Sequence, residues 1–271
     1  MHTIMIPVAD RPECAVALKT AFSLADRLSV DVLGYHLRPH RDESTKGPST
    51  KSIMLDSKAA KRLFDHVGEQ HDIEVVPRYR KKPSGQQALW HELTGSPEKV
   101  FPIVGPMSDL IVVSRPSSKS SAKAKAFQSS ALLKSGTPVL MLPPKRRASV
   151  GTRVLITWNQ SIEAAATVKA SLGLLKKAEA VRIIAAGRED GTGPKSRHLV
   201  QYLKHAGVNA KRLSTPGHDA NKEIMGAYEE HNCDLLMMGA YSRSRWREMV
   251  FGGFTDYVIN HSTVPALMLH R

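Results

Sequence analysis

The sequence has few cysteines, few aromatic residues and no long apolar run. Cys14 and Cys233 are its only cysteines among 271 residues, and their wide separation excludes a zinc site built from closely spaced ligands. No run of about eighteen apolar residues occurs, which excludes a transmembrane helix. The first residues lack the basic and then apolar pattern of a secretory signal. We expect a cytoplasmic protein with two reduced structural thiols, or with one disulfide between them.

Positive charge is in excess. The chain has 39 Lys and Arg against 25 Asp and Glu, a net charge of +14. Residues 1–148 contain 23 basic and 14 acidic side chains, and residues 149–271 contain 16 and 11, so both halves carry the excess. Basic clusters raise the affinity for anions in general. Because no zinc finger, basic zipper or aromatic-rich RNA motif accompanies them, nucleic acid is not an expected partner.

The two halves of the chain repeat one pattern. A strand-like run, a helix with a small-apolar stripe and a second strand-like run open each half, at residues 4–35 and 154–186. The closing runs also correspond: residues 109–114 match 234–239, and residues 137–142 match 264–269. We interpret the chain as two copies of one α/β domain, residues 1–146 and 150–271. The alternative is two unrelated α/β domains.

Short apolar runs without polar alternation indicate strands that are covered on both faces. We predict two tandem open parallel five-stranded sheets with helices on both faces, a Rossmann-like fold. The predicted strands are residues 3–8, 30–36, 73–79, 109–114 and 137–142, then 153–158, 181–186, 208–214, 234–239 and 264–270. Residues 143–148 form the predicted linker. Residues 39–52 are expected to be a surface loop, with a lid as the alternative.

One segment, residues 239–255, has the composition of an anion site. It begins where the fourth strand of the second half ends and leads into a helix that starts near Gly252. Glycines at a strand end and at a helix N-terminus allow phosphate oxygens to approach backbone N–H groups. The carboxyl ends of parallel strands are also where ligands bind in open α/β sheets. The alternative is that Gly252 and Gly253 only permit close packing of helix and strand.

The second half resembles the universal stress protein family. Nucleotide-binding members carry Gly, two residues, Gly, nine residues and then Gly-Ser or Gly-Thr. Gly239 and Gly252 match the first and last glycines, whereas Ser242 replaces the middle glycine and Gly253 stands at the hydroxyl position. The resemblance implies a site for ATP or another adenine nucleotide, with Mg²⁺ only as a companion of the nucleotide.

The resemblance also assigns positions beside the loop. Asn159 stands where the family usually has an Asp that helps to hold the nucleoside, and Thr255 falls on a position that contacts phosphate in ATP-binding relatives. The complete candidate set is Asn159, Met238, Gly239, Ser242, Gly252, Gly253, Phe254 and Thr255. The last strand commonly pairs with its counterpart in a dimer of the family. This implies a pseudo-dimer within the chain and is compatible with a homodimer.

The corresponding stretch of the first half, residues 114–130, has lost these features. It contains no glycine, and Phe127 takes the place of Gly252. A backbone phosphate cradle requires free N–H groups and room. We therefore expect no nucleotide in the first half, which would instead complete the pseudo-dimer.

Three functions fit these observations. The first is a stress-response protein that senses an adenine nucleotide without catalysis and acts through a protein partner. The second is a dimerising adaptor of the same fold without a ligand. The third is a weak nucleotide hydrolase, for which the sequence offers no evident base or metal ligands, since neither HExxH nor GxSxG occurs.

Two other features are interpreted as structural. His91-Glu92 and His198 are expected on helix surfaces or in packing contacts. Residues 187–196 are rich in glycine but have Glu189 and Pro194 where a phosphate loop needs glycine, so we expect a flexible surface loop.

Overall fold

The chain divides into two compact units, residues 1–146 and residues 147–271. The computed structural model describes residues 1–9, 11–38, 50–80, 85–115, 122–144, 149–185, 189–190, 192–215, 217, 219–241 and 253–271. Each unit contains parallel strands with helices between them. The predicted parallel α/β fold is thus confirmed. Across the described residues, no helix is both long enough and apolar enough to cross a membrane.

The first unit contains a parallel sheet with the strand order β3-β4-β2-β1-β5-β6. Its elements are β1 (Thr3–Pro7), α1 (Pro12–Leu28), β2 (Asp31–Arg38), α2 (Thr50–Gln70), β3 (Glu74–Val76), β4 (Gln87–Thr94), α3 (Pro97–Val104), β5 (Leu110–Ser114), α4 (Ala122–Lys134) and β6 (Val139–Leu142). Strands β5 and β6 consist almost entirely of buried residues. Phe22, Phe64 and Phe101 are the largest fully buried side chains of this unit.

The sixth strand of this unit corrects the prediction of five. Strand β4 lies between β3 and β2 and pairs with both in parallel. Its sequence contains Gln, His, Glu and Thr, and four of its eight residues are only half-buried. The continuous apolar run that identifies a covered strand is therefore missing here. His91 and Glu92 lie on this strand and not on a helix, and the alternative of packing contacts holds for His91, whose ring stacks on Tyr35 with 5.0 Å between ring centroids.

The second unit contains a parallel sheet with the strand order β9-β8-β7-β10-β11. Its elements are β7 (Arg153–Thr157), α5 (Ile162–Ala170), α6 (Leu172–Lys176), β8 (Ala180–Ile184), α7 (Ser196–His205), β9 (Ala210–Leu213), α8 (Ala220–Glu230), β10 (Leu235–Gly239), α9 (Gly253–Asn260) and β11 (Ala266–Leu269). These strands agree with the five predicted ones. The chain goes from β7 to β8 on one side and from β10 to β11 on the other, so the strand order reverses between β7 and β10.

An aspartate fixes the start of the first strand in each unit. Asp109, just before β5, accepts hydrogen bonds from the backbone N–H groups of His2 (2.6 Å) and Thr3 (3.0 Å). Asp234, just before β10, accepts from Gly151 (3.0 Å) and Arg153 (2.8 Å) in the same way. Partial burial raises the pKa of Asp109, but these hydrogen bonds and the charge of the amino terminus outweigh it and lower the pKa overall.

Both cysteines are buried free thiols. Cys14 lies in the first turn of α1, where its Sγ donates to the Pro7 carbonyl oxygen and accepts from the Ala9 N–H, each at 3.2 Å. Burial raises the pKa of both Cys14 and Cys233 to about 11. The expectation of two reduced structural thiols is confirmed.

Candidate functional site

The candidate site lies at the point where the strand order of the second unit reverses. Strands β7 and β10 are neighbours, and Ile156 pairs with Met237 near their carboxyl ends. Asn159 follows β7, and Gly239 is the last residue of β10. The fold therefore brings these two predicted residues to the same edge of the sheet, which is where ligands bind in open α/β sheets.

Asn159 lies at the start of a tight turn into α5. Its side chain is exposed, and its Oδ1 accepts a hydrogen bond from the Ser161 N–H at 3.2 Å. Ser161 in turn is the N-cap of α5, because its Oγ accepts from the Ala164 N–H at 3.1 Å. Side-chain oxygens at these two positions satisfy backbone donors that a helix start leaves free. The family's usual Asp at position 159 would accept the same bond.

Gly239 is required by packing. A Cβ at this position would lie 2.6 Å from the backbone nitrogen of Ala164 and 2.9 Å from the Cβ of Glu163. The first turn of α5 therefore rests directly on the end of β10. This contact accounts for the glycine whether or not a ligand binds.

Met238 belongs to the core and not to the surface of the site. Its side chain is buried, and its carbonyl oxygen accepts a hydrogen bond from the Thr167 hydroxyl on α5 at 3.1 Å. This bond and the Gly239 contact join α5 to β10 at two successive residues. Met238 thus holds the end of β10 against α5 through its carbonyl oxygen.

Gly253, unlike Gly239, lies in an open environment among the described residues. It is the exposed first residue of α9, and a Cβ built on it would meet no atom of the described residues within 4 Å. Phe254 and Thr255 follow it in the first turn, both half-buried, and the Phe254 ring stacks on Tyr257 with 6.3 Å between ring centroids. Packing therefore does not explain Gly253. Ser242 and Gly252 lie outside the described residues.

The end of β10 and the start of α9 lie near each other. Tyr241, two residues after β10, has a φ of 50° and packs edge-on against His270 at 6.0 Å. Burial raises the pKa of Tyr241, and the charge of Asp256 in the first turn of α9 raises it further. The Asp256 carboxylate therefore places negative charge beside the predicted anion site.

The glycine-rich loop of residues 187–196 borders the end of β7 through its described residues 192–195. The indole N–H of Trp158 donates to the Pro194 carbonyl oxygen (2.7 Å), and the Gln160 side-chain amide donates to the Gly193 carbonyl oxygen (2.8 Å). A Cβ on Gly193 would lie 2.0 Å from the Gln160 carbonyl oxygen. Residues 192–195 are thus attached to the strand end, and the expectation of a flexible loop does not apply to them. Trp158 directly after β7 is the sequence signal that could have revealed this.

The corresponding strand end of the first unit contains side chains instead of glycines. Ser114 ends β5, and the next residue, Arg115, is buried with its backbone N–H bonded to the Leu142 carbonyl oxygen at 2.7 Å. Phe127, at the position of Gly252, packs edge-on against Phe101 at 5.0 Å. These contacts support the prediction that this unit lacks the cradle.

His198 lies in the first turn of α7, on the helix surface as predicted. Its Nδ1 accepts from the Lys195 N–H at 3.1 Å, which satisfies one backbone donor of the helix start. Within the ranges that the structure describes, no three His, Cys, Asp or Glu side chains converge in a way that would hold a metal ion.

Solved structures show the same fold over the whole chain. A universal stress protein from Archaeoglobus fulgidus DSM 4304 aligns over 99% of this chain and 98% of its own length, at 18% sequence identity and a TM-score of 0.69. A putative universal stress protein from Pseudomonas aeruginosa UCBPP-PA14 covers 99% and 93%, at 13% identity and a TM-score of 0.59. At these identities the likeness shows the fold alone.

Sequence comparison matches the second unit to a known protein family. No curated protein matches the chain. Residues 151–270, which include the candidate site, match the profile of the universal stress protein family. The first unit lies outside this match and has lost the glycines of the site. The second unit thus matches the universal stress protein family over nearly its whole length, residues 151–270.

Proposed function

We propose that the second unit binds an adenine nucleotide, ATP or a close relative, and that the chain acts as a regulatory protein without turning the nucleotide over. The observation that carries this proposal is Gly253. It begins α9, and among the described residues neither a packing contact within 4 Å of a Cβ nor a positive φ requires glycine there. Free space and exposed N–H groups at a helix start suit a phosphate group.

The surroundings of Gly253 support a nucleotide over a simple anion. The exposed Asn159 and the attached residues 192–195 lie at the end of β7, beside the end of β10. A nucleoside extending from the start of α9 along this edge would meet both. Asp256 lowers the affinity for bare phosphate, and a Mg²⁺ ion carried by the nucleotide would offset its charge. Nucleotide binding then changes the surface that a protein partner recognises.

Isothermal titration with ATP and Mg²⁺ tests the site directly. Gly253→Val fills the open space, and we expect about a tenfold or greater loss of affinity, since a charge-assisted hydrogen bond contributes about 1.5–3 kcal/mol. Gly226→Val is the matched control, because Gly226 is also an exposed helical glycine of this unit with no atom within 4 Å of a Cβ. Equal ATP affinity in both variants and in the wild type contradicts the proposal.

A second candidate is an adaptor of the same fold without a ligand. It is favoured by Gly239, the first glycine of the motif, because the contact with α5 explains this residue completely. The two functions differ in what purifies with the protein. Adenine nucleotide released on denaturation supports the first, and its absence together with no heat of ATP binding supports the second. Steady phosphate release above a protein-free control would instead indicate a hydrolase.

A further inference from the structure

Positive charge in residues 149–271 is concentrated in one segment. Residues 149–271 contain 16 Lys and Arg and 11 Asp and Glu. Residues 191–218 contain five of these Lys and Arg and no Asp or Glu, so eleven of each remain elsewhere and cancel. The totals for the two halves of the chain do not reveal this concentration. The five residues define what we call the α7–β9 basic surface: Lys195, Arg197, Lys204, Lys211 and Arg212.

These five side chains belong to two adjacent elements at one edge of the sheet. Arg197 and Lys204 lie on α7, Lys195 precedes it, and Lys211 and Arg212 lie on the edge strand β9. Arg197 and Lys204 are seven residues apart, which places them on one helix face about 10 Å from each other along the axis.

All five are exposed, and none of them forms an ion pair within the described part of the chain. The nearest acidic residue that contacts this region is Glu189. Its carboxylate accepts from the N–H and hydroxyl of Ser196 at the start of α7 and does not pair with the cations.

Protection of the sheet edge explains only part of this charge. Lysines on an edge strand prevent pairing with another strand, and this accounts for Lys211 and Arg212. It does not account for the three cations of the α7 segment, because a helix presents no free strand edge. A second copy is also excluded as the occupant, since its own surface would carry the same charge.

The surface lacks the apolar centre of a protein interface. Tyr202, 38% exposed, is its one large exposed apolar side chain among the described residues, while Leu199 and Leu203 of α7 are buried in the core. Protein interfaces rely on buried aromatic and aliphatic anchors. Binding to a phosphate backbone requires only cations, which displace counterions. We propose that the α7–β9 basic surface binds the phosphate backbone of nucleic acid without sequence preference, independently of the nucleotide site.

Fluorescence anisotropy of the full chain with a labelled 16-nucleotide single-stranded RNA, and with a duplex DNA of equal length, tests the proposal. Lys211 and Arg212 are successive strand residues that point to opposite faces, so up to four of the five cations contact one strand and the slope of log K against log salt should approach about −2.8. Arg197→Gln with Lys204→Gln, on one face of α7, should weaken binding on the order of tenfold and reduce the slope by about 1.4. Both side chains are exposed and form no ion pair, so the variant should fold, as circular dichroism can confirm.

The control removes two other exposed cations of the same unit, Lys169→Gln with Lys176→Gln. It changes the net charge equally and should leave affinity and slope within twofold of the wild type. Equal weakening in both double variants would overturn the proposal, because net charge would then be the cause. The proposal would also be overturned if neither the RNA nor the DNA bound at low salt. Tighter binding of a polyglutamate peptide than of RNA would overturn it as well, since it would point to an acidic protein partner.

Discussion

Gly239 and Gly253 are both glycines of one motif, but they have different physical roles. At Gly239 a methyl group meets the backbone of α5 at 2.6 Å, and a backbone atom cannot move away cheaply. We expect Gly239→Ala to lower the free energy of unfolding of the second unit by about 1–3 kcal/mol. Gly253→Ala should leave it unchanged or raise it, because the new methyl group enters open space. Urea denaturation measures both, and equal losses would contradict this distinction.

Asp109 makes the stability of the first unit depend on pH. Its pKa is lowered in the folded state, so its contribution is fully present above the ordinary aspartate pKa of about 4. The contribution is lost as pH falls below that value and through the lower folded pKa, because the unfolded state then binds more protons. Unfolding of wild type and Asp109→Asn between pH 7 and pH 3 should converge at the acidic end. A constant difference across this range would contradict the prediction.

Among the loops, residues 192–195 are held at the end of β7 in part by the indole of Trp158. Trp158 is 4% exposed and donates to the Pro194 carbonyl oxygen. Trp158→Phe keeps an aromatic ring but removes this donor, which contributes about 1 kcal/mol. We expect amide hydrogen exchange in residues 192–195 to become several-fold faster while β7 itself stays protected. Unchanged exchange in this loop would show that Gln160 and Glu189 hold it without Trp158.

Strands with a continuous apolar sequence were predictable, whereas a strand that mixes polar and apolar residues was not. Strands β5, β6, β10 and β11 are covered on both faces, so an apolar run marks each of them. Strand β4 has His91 and Glu92 among its exposed and half-buried positions, and no sequence period distinguishes it from a helix. At the site, the glycines and their spacing were visible in the sequence. The contact of Gly239 with α5 was not, because it joins residues about 75 positions apart.

The two units should respond separately to mutations, because each has its own core and its own aspartate at the start of the first strand. Asp109→Asn should accelerate hydrogen exchange in residues 1–38 and leave residues 150–185 unchanged, and Asp234→Asn should do the reverse. Replacing each half-buried carboxylate by an amide removes the charge that strengthens these hydrogen bonds and costs about 1 kcal/mol, which is enough to detect. Simultaneous acceleration in both ranges from either variant would instead indicate a single cooperative unit.

The burial of the two thiols has a consequence for their oxidation. Attack on peroxide requires a thiolate, and a pKa of about 11 leaves almost none at neutral pH. Because no other cysteine is present, the folded chain should survive mild oxidant without sulfenic acid or intermolecular crosslinks, which intact-mass spectrometry can verify. Oxidation of its thiols is therefore not an expected modification of the folded chain.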